Sequence, residues 1–275
     1  MSDARTDGPE VTRRTVLQHS AGVAVVGAVT ALSAVTSAQP AAAHPGTTGP
    51  EPSDGAAGAR TGGLPETVAG VRVPAGGLAR KAVALAQRAY PEPLFNHVMR
   101  TYVFGSLLFD RRRISYDREL VFVAAVLHDL GLVDAFRTPT ERFEVDGADA
   151  ARRFLHQERV SAERVELVWD AIALHTSVGI ASRKRPEIAL ISAGSGLDFT
   201  GNGLERIPPD VLDEVLTAFP RRGFKQVALD TMLSLCRTKP MAELMHPFAE
   251  VGRRHVPGFA VPTVEDLLLA APFTE

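Results

Sequence analysis

From Leu78 onward the apolar residues recur at spacings of three and four rather than in alternation, which is the period of a helix with one buried face. Leu78, Val83 and Leu85-Ala86 predict a first helix that stops before Pro91-Glu92-Pro93, and Phe95, Val98-Met99, Tyr102 and Leu107-Leu108 predict a second. Residues 118–130 are almost continuously apolar, as in a helix buried on all sides, and Gly131 reads as its C-cap. Amphipathic helices follow over 140–156 and 162–175. Pro186 suits the first turn of another, continued by Ile188-Ala189-Leu190-Ile191. Further helical spacing covers 210–216, 224–236, 241–253 and 264–269. The chain shows no alternating strand series, no internal repeat and no Gly-rich phosphate loop. The expected fold class is all-α.

The pattern is different before residue 75. Arg13-Arg14 precede a weakly hydrophobic run of Ala, Gly, Ser, Thr and Val, which ends at Ala41-Ala42-Ala43. A basic pair, an apolar region and a small-residue cleavage site are the parts of an export signal. The adjacent arginines, with Thr12 before and Val16-Leu17 after, resemble the twin-arginine type. The competing reading is an uncleaved membrane anchor, since the run approaches spanning length; its poverty in Leu, Ile and Phe favours cleavage after Ala43. Residues 44–74 are rich in Gly, Pro, Ala and Thr without hydrophobic period, as in a flexible linker. Residues 75–275 are then one domain of ordinary size. The net charge of −2 argues against a nucleic-acid surface, and the single cysteine, Cys236, excludes an internal disulfide. The oligomeric state has no marker in the sequence.

Chemistry-bearing side chains interrupt the apolar helices at His97 in "FNHVMR", His128-Asp129 in "VLHDLGL", His175 in "IALHTS" and Asp198 in "GLDFTG". Neutral imidazole and carboxylate oxygen together suit a borderline divalent cation. Neighbours on a helix point about 100° apart, so His128 and Asp129 can share an ion only at the helix end, where the negative end of the dipole favours a cation. Each residue has a plainer reading: a hydrogen-bonded core histidine, a capping aspartate, a loop carboxylate. Glu144 in "RFEVDGA" fits a pocket carboxylate or a helix-start residue equally, and Gly147 beside it permits close backbone approach. His156 lies among charges, as on a solvated face. His246 and His255 adjoin proline-bearing turns and read as structural. The run Arg183-Lys184-Arg185 is a candidate phosphate patch or an exposed loop.

The order H…HD…D resembles the HD-domain superfamily of metal-dependent hydrolases. "FNHVMRTYVFG", "LVFVAAVLHDLGL", "ERFEVDGADAARRFL", "VWDAIALHTSVGIA" and "RPEIALISAGSGLDFTG" look like consecutive segments of its cyanamide hydratase-like branch, with the likeness running over residues 90–273. The resemblance implies a helical HD bundle and metal ligation by His97, His128, Asp129 and Asp198. It also implies one divalent ion, zinc or iron first and manganese, cobalt or magnesium after them, and the addition of metal-activated water to a small molecule, a nitrile such as cyanamide among them. His175 is the candidate acid/base, with a contact to substrate or to a second metal as its other readings, and Glu144 the candidate supporting carboxylate. A phosphohydrolase acting on a nucleotide or other phosphoester is the alternative, and an inactive binding scaffold a third reading that four retained ligands disfavour.

The N-terminal pattern makes a prediction of its own, with the twin-arginine export machinery as partner. Protein recovered outside the cytoplasm is expected to begin at or near His44, and replacing Arg13 and Arg14 together by lysine to stop export. Recovery of exported chains that retain Met1 would refute the cleavage.

Overall fold

The computed structural model describes residues 63–273; the predicted export signal, its cleavage point and the linker up to residue 62 lie outside the described residues. Within them are ten α-helices and one hairpin of two two-residue strands. The hairpin pairs β1 (Thr67–Val68) with β2 (Val71–Arg72), antiparallel, around Ala69-Gly70, both at positive φ. Val68, Val71 and Val73 are buried and the Tyr102 hydroxyl donates to Arg72 O at 2.9 Å, so the packed domain begins some eight residues before the predicted boundary at 75. Two-residue strands are too short to show alternation, which is why the stretch reads as linker.

Two helices form the centre. α2 (Glu92–Asp110) is buried nearly all round, and α3 (Arg118–Leu127) is buried without a break from Leu120 to Leu127. α1 (Gly77–Ala89) and α5 (Ala162–Ala173) pack against α3, α4 (Phe143–Gln157) packs against α5, and α6 (Pro186–Thr200) lies along α2. α7 (Pro209–Ala218) touches the hairpin. α8 (Phe224–Thr238) and α9 (Phe248–His255) pack on each other, with α8 against α2; the short α10 (Val264–Leu269) ends the described chain. The Asp117 carboxylate accepts from Leu120 N and starts α3. Pro186 sits at the first turn of α6 as expected, and Gly201, at φ +80°, ends it.

Two expectations are corrected here. α3 stops at Leu127 with His128 as its C-cap, and Gly131 does not cap it. Gly131 instead lies where a Cβ would fall 1.9 Å from Phe143 O, so its smallness lets the end of α3 touch the start of α4; Gly147 does the same against His128 O, at 2.9 Å. The predicted helix over 241–253 is split into a 3₁₀ turn (Pro240–Glu243) and α9, because Pro247 lacks the N–H that would continue it.

Glycines also set the approach of α2 and α6. A Cβ on Gly194 would meet Thr101 O at 2.1 Å, and one on Gly105 would meet Leu190 side-chain and backbone atoms at 2.5–2.8 Å. Gly194→Ala therefore forces two backbones apart and is expected to cost about 3 kcal/mol or more, the upper end for overpacking. Gly196→Ala, on the same helix with nothing within 4 Å, is expected to be neutral or to stabilise by up to about 1 kcal/mol through helix propensity. Urea midpoints at unchanged slope measure both; equal effects would contradict the close approach.

Candidate metal centre

The end of α3 is the focus of the site. Because His128 is the helix cap and Asp129 begins the following turn, both side chains leave the helix on one side, which adjacent positions within a helix could not do. The N-terminal half of α2 supplies His97, and the turn just after α5 supplies His175. All four are buried.

Each imidazole is held by its Nδ1. His128 Nδ1 lies 2.7 Å from Ala125 O, His175 Nδ1 2.6 Å from Ile172 O, and His97 Nδ1 2.7 Å from Asp198 Oδ2. A carbonyl can only accept, so the proton of His128 and of His175 is on Nδ1 and the lone pair on Nε2; the Asp198 carboxylate imposes the same tautomer on His97. The three Nε2 atoms converge on one carboxylate: His97 Nε2 is 3.5 Å from Asp129 Oδ2, and the Nε2 atoms of His128 and His175 are 3.3 and 3.9 Å from Asp129 Oδ1. His128 Nε2 is buried with no hydrogen-bond partner. Lone pairs facing a carboxylate need a cation between them.

The spacing suits one. Two donor atoms about 2 Å from a shared tetrahedral ion are roughly 3.3 Å apart, and single donor atoms of His97, His128 and Asp129 all lie within 4.8 Å of one another. Asp198, expected as a direct ligand, stands outside this group. Its Oδ1 accepts from Arg100 Nε and Arg221 Nη1, both at 2.8 Å, and its Oδ2 from Arg100 Nη2 at 2.8 Å and His97 Nδ1. A carboxylate offers about four lone-pair positions, and here all are taken. The carboxylate thus sits behind His97 and aims its Nε2 at Asp129. Burial alone would raise Asp198, but the hydrogen bonds from His97 and Arg100 outweigh it and hold the carboxyl well below the usual range.

Glu144 is fully buried at the start of α4, beside the centre and outside it. It accepts from Arg142 Nη2 at 2.5 Å, from the Thr176 hydroxyl, and from His246 Nε2 at 3.1 Å, while His246 Nδ1 meets Glu243 Oε2 at 2.7 Å. Burial would lower His246, yet the two carboxylates raise it; the same bonds keep Glu144 low against its own burial. His246 is the residue that sequence reasoning underestimated: it lines the cavity above the centre, and a His-Pro turn carries no signal of that. Arg100 was also missed, although a fully buried arginine three residues after His97 on one helix face is a readable pairing.

The cavity has a volume of about 300 Å³, with His97, Asp129 and His175 at its floor. Phe224 stacks on His97 with ring centroids 4.6 Å apart, and Phe143 stacks on Phe248 at 5.3 Å. Among the described residues no lysine or arginine lines it.

Burial, reinforced by neighbouring rings, lowers His128 to about 3 and His175 to about 4. The unfolded chain protonates these rings as pH falls through about 6.5, while the folded one keeps them neutral. The unfolded state therefore binds more protons in that window, and these two groups withdraw stability from metal-free protein as the medium is acidified. Imidazole carbon shifts of His128 and His175 in metal-free protein are expected to keep their neutral values down to pH 5; a midpoint near 6.5 at either would contradict the geometry.

No curated protein matches the chain. Residues 94–215 match the family model described as HD domain, a span holding His97, His128, Asp129, Glu144, His175 and Asp198. The order of residues, the helical bundle and this match over residues 94–215 agree in supporting the HD-domain superfamily.

Proposed function

We propose that the protein is a metal-dependent hydrolase or hydratase acting on a small uncharged molecule, a nitrile being the simplest candidate. The observation that carries this is the convergence of three imidazole Nε2 atoms on the buried Asp129 at the floor of a cavity without a lysine or arginine. HD domains are in general metal-dependent hydrolases, and the donor set of neutral nitrogen and carboxylate oxygen fits a divalent ion. When bound, such an ion lowers the pKa of coordinated water toward about 7 and polarises an electrophilic substrate.

The chain's own groups do the rest. His97, His128 and Asp129 hold the ion, and Asp198, itself fixed by Arg100 and Arg221, keeps His97 in the ligating tautomer. His175 presents a free Nε2 to the same space and accepts a proton there, its ring oriented by Ile172 O. Glu144 accepts from Arg142, Thr176 and His246 on Oε1 and from Arg142 Nε on Oε2, and in this reading it is a supporting carboxylate that fixes Thr176 beside His175. The phosphohydrolase alternative would have the ion alone as counter-charge, with no lysine or arginine among the cavity-lining residues to assist it. Lys184 and Arg185 are exposed and do not line the cavity, Arg183 reaches back to Gly179 O, and Arg185 faces Glu163 and Glu187.

The purified protein is expected to hold about one divalent ion per chain. Asp129→Ala is expected to lose the ion and turnover together. Asp198→Asn is expected to weaken the ion roughly 10–100-fold, as loss of an orienting partner does, and His175→Ala to retain it while turnover falls roughly 10²–10⁴-fold. Metal content and rates on nitriles and phosphoesters, taken on the same samples, decide. An Asp129→Ala protein that keeps its ion and its rate would refute the centre, and metal loss in His175→Ala would make His175 a ligand.

A further inference from the structure

The walls of the cavity say more about the substrate than its floor does. Above His97, Asp129 and His175 the lining is apolar: Leu132 and Phe143 on one side, and Phe224, Val227, Ala228 and Met232 on another. Val178 and Phe199 stand at the rim, where they are 91% and 47% exposed although both face the cavity. A space of about 300 Å³ is at the lower bound for a small-molecule site, and it is far larger than three heavy atoms require, one water occupying roughly 30 Å³ of liquid. Cyanamide would leave most of it to water against mainly apolar walls: of the lining hydroxyls, those of Thr176, Thr200 and Thr231 already donate to Glu144, Gly196 O and Val227 O, which leaves Ser192 and Ser195.

Charge limits the occupant further. The cations nearest the cavity are spent: Arg100 and Arg221 on Asp198, Arg142 on Glu144. His246 reaches the cavity, but both of its nitrogens face carboxylates, so it offers no donor to an anion. Much of the apolar wall belongs to α8 and the turn before α9, after residue 215, where the HD match ends. The HD domain supplies the floor, and the segment 224–248 supplies what the non-reacting part of a substrate would touch.

We propose that the substrate is a neutral molecule carrying an apolar group of about the size of a benzene ring, selected by the wall that residues 224–248 add to the HD domain. This rests on the metal-hydrolase reading for what happens at the floor, but the wall is testable without it. Each buried methylene contributes about 0.8 kcal/mol, close to fourfold in affinity, so a ring distinguishes strongly between two molecules with the same reacting group.

The test titrates benzonitrile, cyanamide and phenyl phosphate into metal-loaded and metal-free protein by calorimetry. Benzonitrile is expected to bind at least roughly 100-fold more tightly than cyanamide, to keep most of that advantage without metal, and to bind more tightly than phenyl phosphate in the metal-free protein. Ala228→Leu, which fills the wall, is expected to lower the benzonitrile-to-cyanamide ratio about tenfold with metal content unchanged. Met232→Ala, which removes wall surface, is expected to lower it about fourfold or more, and it serves if the leucine variant fails to fold. Equal affinity for the two nitriles, tighter binding of phenyl phosphate to the metal-free protein, or wall variants that leave the ratio unmoved would overturn the proposal. A protein that holds no ion yet still prefers benzonitrile would refute the metal reading and leave the wall standing.

Discussion

Asp129 is a buried carboxylate whose near neighbours turn lone pairs toward it instead of protons. Among the described residues no hydrogen bond to the Asp129 carboxylate oxygens compensates that arrangement: the Nδ1–H groups that could reverse the rings are committed to Ala125 O, Ile172 O and Asp198. Burial consequently raises the Asp129 pKa while it lowers those of His128 and His175. With Asp129, His128 and His175 pushed toward neutrality, the site is poised for a cation, which favours the ionised carboxylate and the unprotonated ring together. The surrounding helices exist in their positions to keep these four side chains from relaxing away from one another.

That positioning depends on contacts closer than side chains allow. α2 carries His97 and Arg100 to Asp198 only because α6 approaches it at Gly194 and Gly105, and α3 delivers His128 beside α4 only because Gly131 and Gly147 are bare. Asp198 and Arg100 are then a pair of buried charges, and removing either partner of such a pair leaves the other unsatisfied at a cost of about 3–5 kcal/mol. Packing and polarity are thus one constraint: the glycines bring the helices together, and the ion pair of Arg100 with Asp198 makes that closeness specific.

The helices were legible because their apolar residues repeat at helical spacing over many turns, and the HD segments were legible because His128 and Asp129 interrupt an otherwise apolar run. The role of Gly131 was not, since a glycine at a helix end and a glycine under a crossing backbone look alike in sequence. Asp198 posed a similar difficulty: its presence could be read, but whether its oxygens face an ion or two arginines depends on Arg100 and Arg221, which come from different parts of the chain. The hairpin at 67–72 was too short to register, and His246 acquires its place only through tertiary packing, between Glu144 and Glu243 and against Phe143 and Phe248.

His246 joins Glu144, which lies inside the HD match, to Glu243, which lies beyond it. The joint is a polar clasp between the segment matched by the HD model and the segment that follows it, and it ties the two together from outside the His97, His128 and Asp129 group. Changes in the helix carrying Ala228 and Met232 can therefore reshape what the cavity admits while the clasp and the donor atoms stay put. In such a design the repertoire of accepted molecules is free to diverge, and the inorganic chemistry beneath is not.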